Sequence, residues 1–148
     1  MGIDAAGFRH DLRDSERFLQ DLRKVSPELQ AFDADAVIGK LHLISAWERA
    51  QRAFKEGRAS CSRIELETLC YAAGERQISV AIGLVGVNDS TKRIALLGPA
   101  EAIKRAEKEL SLQRDDSALE PSAEKLKRLG IESEDMVFEL MSMREVDG

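Results

Sequence analysis

Aromatic side chains are scarce: one Trp, one Tyr and five Phe make up 5% of 148 residues. Aliphatic side chains must therefore supply most of the core. Cysteine is scarcer still, with Cys61 and Cys70 alone, which fits a reduced, cytoplasmic compartment where thiols stay free. Two histidines, scattered from the cysteines, cannot complete a standard zinc site, so no metal is expected. No apolar run approaches the ~20 residues that a membrane-spanning helix needs, so no membrane association is expected. The start, Met1 to Ala6, lacks the basic and apolar regions of a secretory signal. No glycine-rich phosphate loop occurs. Gly98-Pro99 is no nucleophile elbow, and the adjacent acids Asp115-Asp116 read as solvated turn residues. No residues stand out that would carry catalysis or hold a cofactor. The expectation is a protein that is not an enzyme.

Hydrophobic residues at 43% and charged residues at 33% place the chain among folded globular proteins rather than disordered ones. Its length allows one domain, residues 1–148, with a real core. Net charge is −5, which argues against non-specific coating of nucleic acid. The charge is uneven. Residues 40–76 hold seven Lys/Arg against five Asp/Glu, whereas residues 101–148 hold eight against thirteen. An anionic partner would favour the centre.

Along the chain, Leu12, Phe18, Leu19 and Leu22 predict an amphipathic helix that Pro27 stops. Leu29 to Ala34 alternates and predicts a short strand. Leu43, Trp47, Ala50 and Phe54 form one face of a helix over Lys40–Lys55. Ser62 and Glu65 make a capping-box pattern before Leu66, Leu69, Cys70 and Ala73. Cys70 lies on that stripe and reads as a buried small hydrophobe. Gly74 suits a left-handed helix stop. Ile78, Ala81, Ile82 and Val85 predict another helix, and Arg93 to Leu97 a strand. Pro99 opens a further helix. Ser122 and Gly130 bracket one more. A short helix over Glu134–Glu139 and a terminal strand over Leu140–Val146 complete the reading. Helices grouped in the middle, with strands around them, predict an α+β fold: a central helical block packed with a small, mostly antiparallel sheet.

One corner stands out. Glu75-Arg76-Gln77 interrupts two apolar helices with charge and an amide. Arg76 can bond carbonyls at the end of the preceding helix, where the helix dipole favours a cation. Gln77 opens the next helix, whose free amides suit an anion such as phosphate. Both readings stay open from the residues alone. Upstream, Lys40 and His42 open the central helix but point away from each other, and for His42 a structural reading as a cap or core residue stands level with a functional one. Ile78 and Ile82 fit either core or interface.

Asp35-Ala36-Val37-Ile38-Gly39-Lys40-Leu41-His42, followed by Gly74-Glu75-Arg76-Gln77-Ile78 with Ala81-Ile82 and Gly86, resembles the kinase-binding subunit of the KEOPS complex. This is the PRPK-binding protein family in its archaeal form. The resemblance covers residues 29–98 well, with a looser echo at Asp115 to Leu119 and in the expected C-terminal strand. It implies a non-catalytic subunit that binds the kinase/ATPase subunit of KEOPS and contacts other subunits indirectly. That complex places a threonylcarbamoyl group on the adenosine beside the anticodon of certain tRNAs. The resemblance further implies recruitment of tRNA through its single-stranded 3′ CCA end, with Lys40, His42, Arg76 and Gln77 in the RNA-contacting motif positions. Kinase docking is placed near Ile78 and Ile82. An alternative is a module that binds and regulates the kinase only, without RNA. Relatives usually begin with a glycine-rich, basic strand. Residues 1–25 depart from this and read as an acidic helix, a divergent N-terminal segment of the domain.

Overall fold

The computed structural model describes residues 2–147. Within them the strands are β1 (Ile3–Arg9), β2 (Gln30–Asp33), β3 (Arg93–Pro99) and β4 (Gln113–Arg114). The helices are α1 (Ser15–Val25), α2 (Lys40–Lys55), α3 (Ile64–Ala73), α4 (Ile78–Val85), α5 (Ala100–Glu109), α6 (Ala123–Leu129) and α7 (Asp135–Asp147). Short 3₁₀ turns occupy Ala34–Ala36 and Asp116–Leu119. All strand pairs are antiparallel, in the order β2-β3-β1-β4. The fold is α+β, as the grouping of helices predicts.

The sheet separates two cores. Alternation along β3 sends Ala95 and Leu97 to one face and Ile94 and Leu96 to the other. The first face is covered by α2, α3 and α7, through residues such as Leu43, Ala46, Ala50, Tyr71 and Met141. The second is covered by α1 and α5, through Phe18, Leu22, Ile103 and Ala106. Fully buried Ala46, Ala50 and Ala53 let α2 pack closely. The buried face of α2 is thus its alanine stripe with Leu43. Phe54, expected on that face, is partly exposed instead.

Three expectations are corrected. First, the N-terminal segment is not helical throughout: β1 precedes α1 and pairs with β3 from Ile3↔Pro99 to Arg9↔Arg93. It lies inside the sheet and is buried on both faces from Ala5 to Phe8, so it carries no alternation. Its Gly7 is sterically required. A Cβ there would sit 2.7 Å from the Asp115 carbonyl oxygen and 2.8 Å from Ala118 Cβ. Second, no capping box forms at α3. Arg63 is the N-cap residue, without a side-chain bond, and Glu65 pairs with Arg63 at 3.2 Å instead. Third, the terminal strand does not form: Leu140 to Val146 belongs to α7. Val137, Met141 and Arg144 recur at helical spacing on its buried face.

Candidate functional site

The corner between α3 and α4 is built on its two helix ends. Gly74 adopts the left-handed conformation (φ 68°, ψ 29°) that lets the chain turn back. The Glu75 amide then donates to the Cys70 carbonyl at 2.9 Å. Gln77 is the N-cap residue of α4, and its side chain makes no capping bond. Arg76 and Gln77 are both exposed, and among the described residues Arg76 forms no ion pair. The cation that bonds a carbonyl of this corner is Arg144 of α7, which the sequence did not single out. Its Nε donates to the Glu75 carbonyl at 2.9 Å, and its guanidinium lies 4.0 Å over the Tyr71 ring. Arg144 also donates to Ser60 Oγ and pairs with the buried Glu67 at 3.7 Å. Glu67 in turn accepts from the Ser60 and Cys61 amides. The corner's backbone is therefore held from beneath, and the side chains of Arg76 and Gln77 are left to the surface.

The two upstream residues sit differently. His42 is buried, with both ring nitrogens bonded: Nδ1 accepts from the Ile38 amide at 3.1 Å and Nε2 lies 2.8 Å from the Ala72 carbonyl oxygen. Since Nδ1 accepts, Nε2 carries the proton and donates. Burial pushes the imidazole down to about 4; the bond to Ala72 opposes this and the charge of Lys125 reinforces it. The ring ties the start of α2 to the last turn of α3, two residues before Gly74. As placed, it faces no partner. Lys40 turns to the sheet, where Nζ lies 2.6 Å from Asp4 Oδ1 with both side chains partly exposed. Partial burial works against ionisation of Asp4, but the Lys40 bond and the Ala5 amide hold its carboxyl below the ordinary value. Arg76 and Gln77 thus share one exposed corner, His42 lies behind it, and Lys40 is engaged elsewhere. A small cavity of about 100 Å³ lies beside His42 and Gly74, closed by Leu129, Val137 and Met141. It has room for about three waters.

The helix that leaves the corner is exposed around most of its circumference. Ala81 and Val85 of α4 are buried, but Val80, Ile82 and Leu84 are 40%, 48% and 51% exposed. Ile78 is half-buried. On the Ile82 side runs a groove of about 300 Å³, with Leu19, Leu66, Leu69 and Val87 in its lining beside the charged Arg23, Arg63 and Glu65; Val80 and Leu84 lie on the opposite side of the helix. Ile82, open between core and interface from sequence, is half-exposed; the exposure of Val80 and Leu84 was not anticipated, although their spacing of four on an apolar helix was available. A second charged cluster was also missed. Arg49, Arg52 and Arg58 converge on Glu145, at 2.8, 3.1 and 3.4 Å. Burial alone would raise the Glu145 carboxyl, but the Arg52 bond and the three positive charges hold it low.

Among the described residues, no group of acids, histidines and cysteines could hold a metal ion, and no helix is long and apolar enough to cross a membrane. A comparison with curated proteins finds no match. A model of the family described as kinase binding protein CGI-121 matches residues 9–129, from the end of β1 through α6. The matched span takes in the corner, both helices that meet there and the exposed face of α4, and the chain belongs to the kinase binding protein CGI-121 family.

Proposed function

We propose that this protein is the non-catalytic subunit of a KEOPS complex of archaeal type. It acts as one domain in the cytoplasm, docks on the kinase/ATPase subunit and recruits tRNA through its 3′ CCA end. The observation that carries the reading is the junction at Gln77, where an exposed cation and amide pass directly into the exposed apolar face of α4. The apolar face, with Ile78 and Ile82, is the kinase-docking surface. Arg76 and Gln77 meet the RNA: a guanidinium and an amide at a tight corner suit phosphates and base edges of a short single strand better than a duplex. Lys40 reaches the RNA if it exchanges its Asp4 partner. His42 contributes by fixing the height of the corner from inside.

A second reading, in which the kinase alone is bound, draws support from the burial of His42 and the engagement of Lys40. A gel shift decides between them. Intact tRNA should bind, tRNA trimmed of its terminal CCA should bind far more weakly, and Arg76→Glu should abolish binding while leaving the circular dichroism spectrum and kinase capture unchanged. Equal binding of intact and trimmed tRNA sinks the tail-recognition reading.

A further inference from the structure

Directly beneath the corner lie both cysteines. Cys70 on α3 is fully buried, and Cys61 is half-buried in the segment 56–63, which is neither helix nor strand. Their sulfurs are 3.7 Å apart. A disulfide bond needs about 2 Å, so the sulfurs must close by roughly that difference, and the irregular 56–63 segment carries one of them. The site is also tied to the corner. The Cys70 carbonyl accepts from the Glu75 amide, and the Cys70 thiol lies 3.8 Å from the Arg76 carbonyl oxygen. The Cys61 amide is fixed to Glu67, which pairs with Arg144.

We infer that Cys61 and Cys70 form a reversible dithiol–disulfide pair that clamps the 56–63 segment to α3 under the Arg76 corner. The oxidant is a low-molecular-weight disulfide of the glutathione class. The accessible Cys61 thiolate attacks one sulfur of that disulfide. The S–S bond breaks, one glutathione thiolate leaves with the bonding pair, and a mixed disulfide remains on Cys61. Cys70 then gives its proton to solvent and attacks Cys61 Sγ, expelling the second glutathione. Two protein thiols lose two electrons in all, and one disulfide molecule is reduced to two thiols. The order follows from access. Burial, with the bond to Cys61, pushes the Cys70 thiol up to about 12, so Cys70 is a poor first nucleophile but stands in contact with the sulfur it must attack. Oxidation also takes the thiol proton away from the Arg76 carbonyl, so the clamp changes the support of the corner itself.

The test is intact-mass spectrometry of the full chain after incubation with oxidised glutathione. The wild type should lose the mass of two hydrogens and keep no glutathione, and peptide mapping should join Cys61 to Cys70. Dithiothreitol should reverse it. Cys70→Ser should hold one glutathione stably on Cys61, and Cys61→Ser should stay unmodified. The oxidised wild type should melt about 5 °C higher, as expected for a short cross-linked loop. A wild type that retains the adduct on Cys61, or forms only intermolecular dimers, overturns the inference without any variant needing to fold. None of these readouts depends on RNA or kinase binding.

Discussion

His42 joins two helices with a single ring, and that bond has a proton cost. The folded imidazole is neutral because both nitrogens are used and burial holds its pKa near 4. In the unfolded chain the ring titrates near 6.5. Above that value neither state binds the proton and the stabilisation is complete. As pH falls from about 6.5 to about 4, the unfolded state takes up a proton that the folded state refuses, and stability drops by about 3 kcal/mol from this group. His42→Asn should remove that part of the pH dependence. Denaturant midpoints measured between pH 7 and pH 4 check it, taken as the difference between wild type and variant so that the carboxylates cancel. An equal slope in both proteins would mean that the ring is not buried neutral. From sequence, a histidine two positions from a lysine at a helix start is open between ligand, cap and core. Its acceptor, the Ala72 carbonyl, lies 30 residues away and is visible only once α3 packs on α2.

At the scale of elements, legibility followed burial geometry. The helices α2 and α5 each expose one side and bury the other, and α3 and α4 are bounded by glycine stops at Gly74 and Gly86, so helical spacing and the glycine and proline stops placed all four within a residue or two. Strand β1 is buried on both faces by small residues, and α7 exposes Leu140 and Met143 beside buried Met141, which mimics strand alternation. Both misreadings arise because period alone cannot report what a residue packs against. The docking of α7 rests on Arg144, which joins Glu67, Ser60, the Glu75 carbonyl and the Tyr71 ring. Removing one partner of a buried pair leaves the other charge uncompensated. Arg144→Met should therefore cost about 3–5 kcal/mol by urea denaturation, and adding Glu67→Gln should restore part of it. Strict additivity of the two substitutions would show that they do not interact.

For the whole molecule, the distribution of charge and apolar surface separates the two proposed partners physically. The chain carries a net charge of −5, so it repels tRNA at long range, and attraction must come from the few cations near the corner. About two phosphate contacts on a single strand give a slope of log K against log salt near −1.4, and a fourfold rise in salt should weaken tRNA binding about sevenfold. The exposed face of α4 contains no charged residue, and Val80, Ile82 and Leu84 offer only apolar area to a kinase. Burial of that area is non-directional and not screened by salt. Kinase affinity should therefore change little over the same range, while Ile82→Asp or Leu84→Asp should weaken it about tenfold or more, as for a central interface residue. Both side chains are about half exposed, so the variants are compared at matched folded fraction, checked by circular dichroism. Titrations by isothermal calorimetry at two salt concentrations, with kinase and tRNA in turn, separate the surfaces. If both affinities fall together with salt, the kinase docks on the polar corner rather than on α4. If Ile82→Asp weakens tRNA and kinase alike, the two share one face, and the corner and the helix act as a single site.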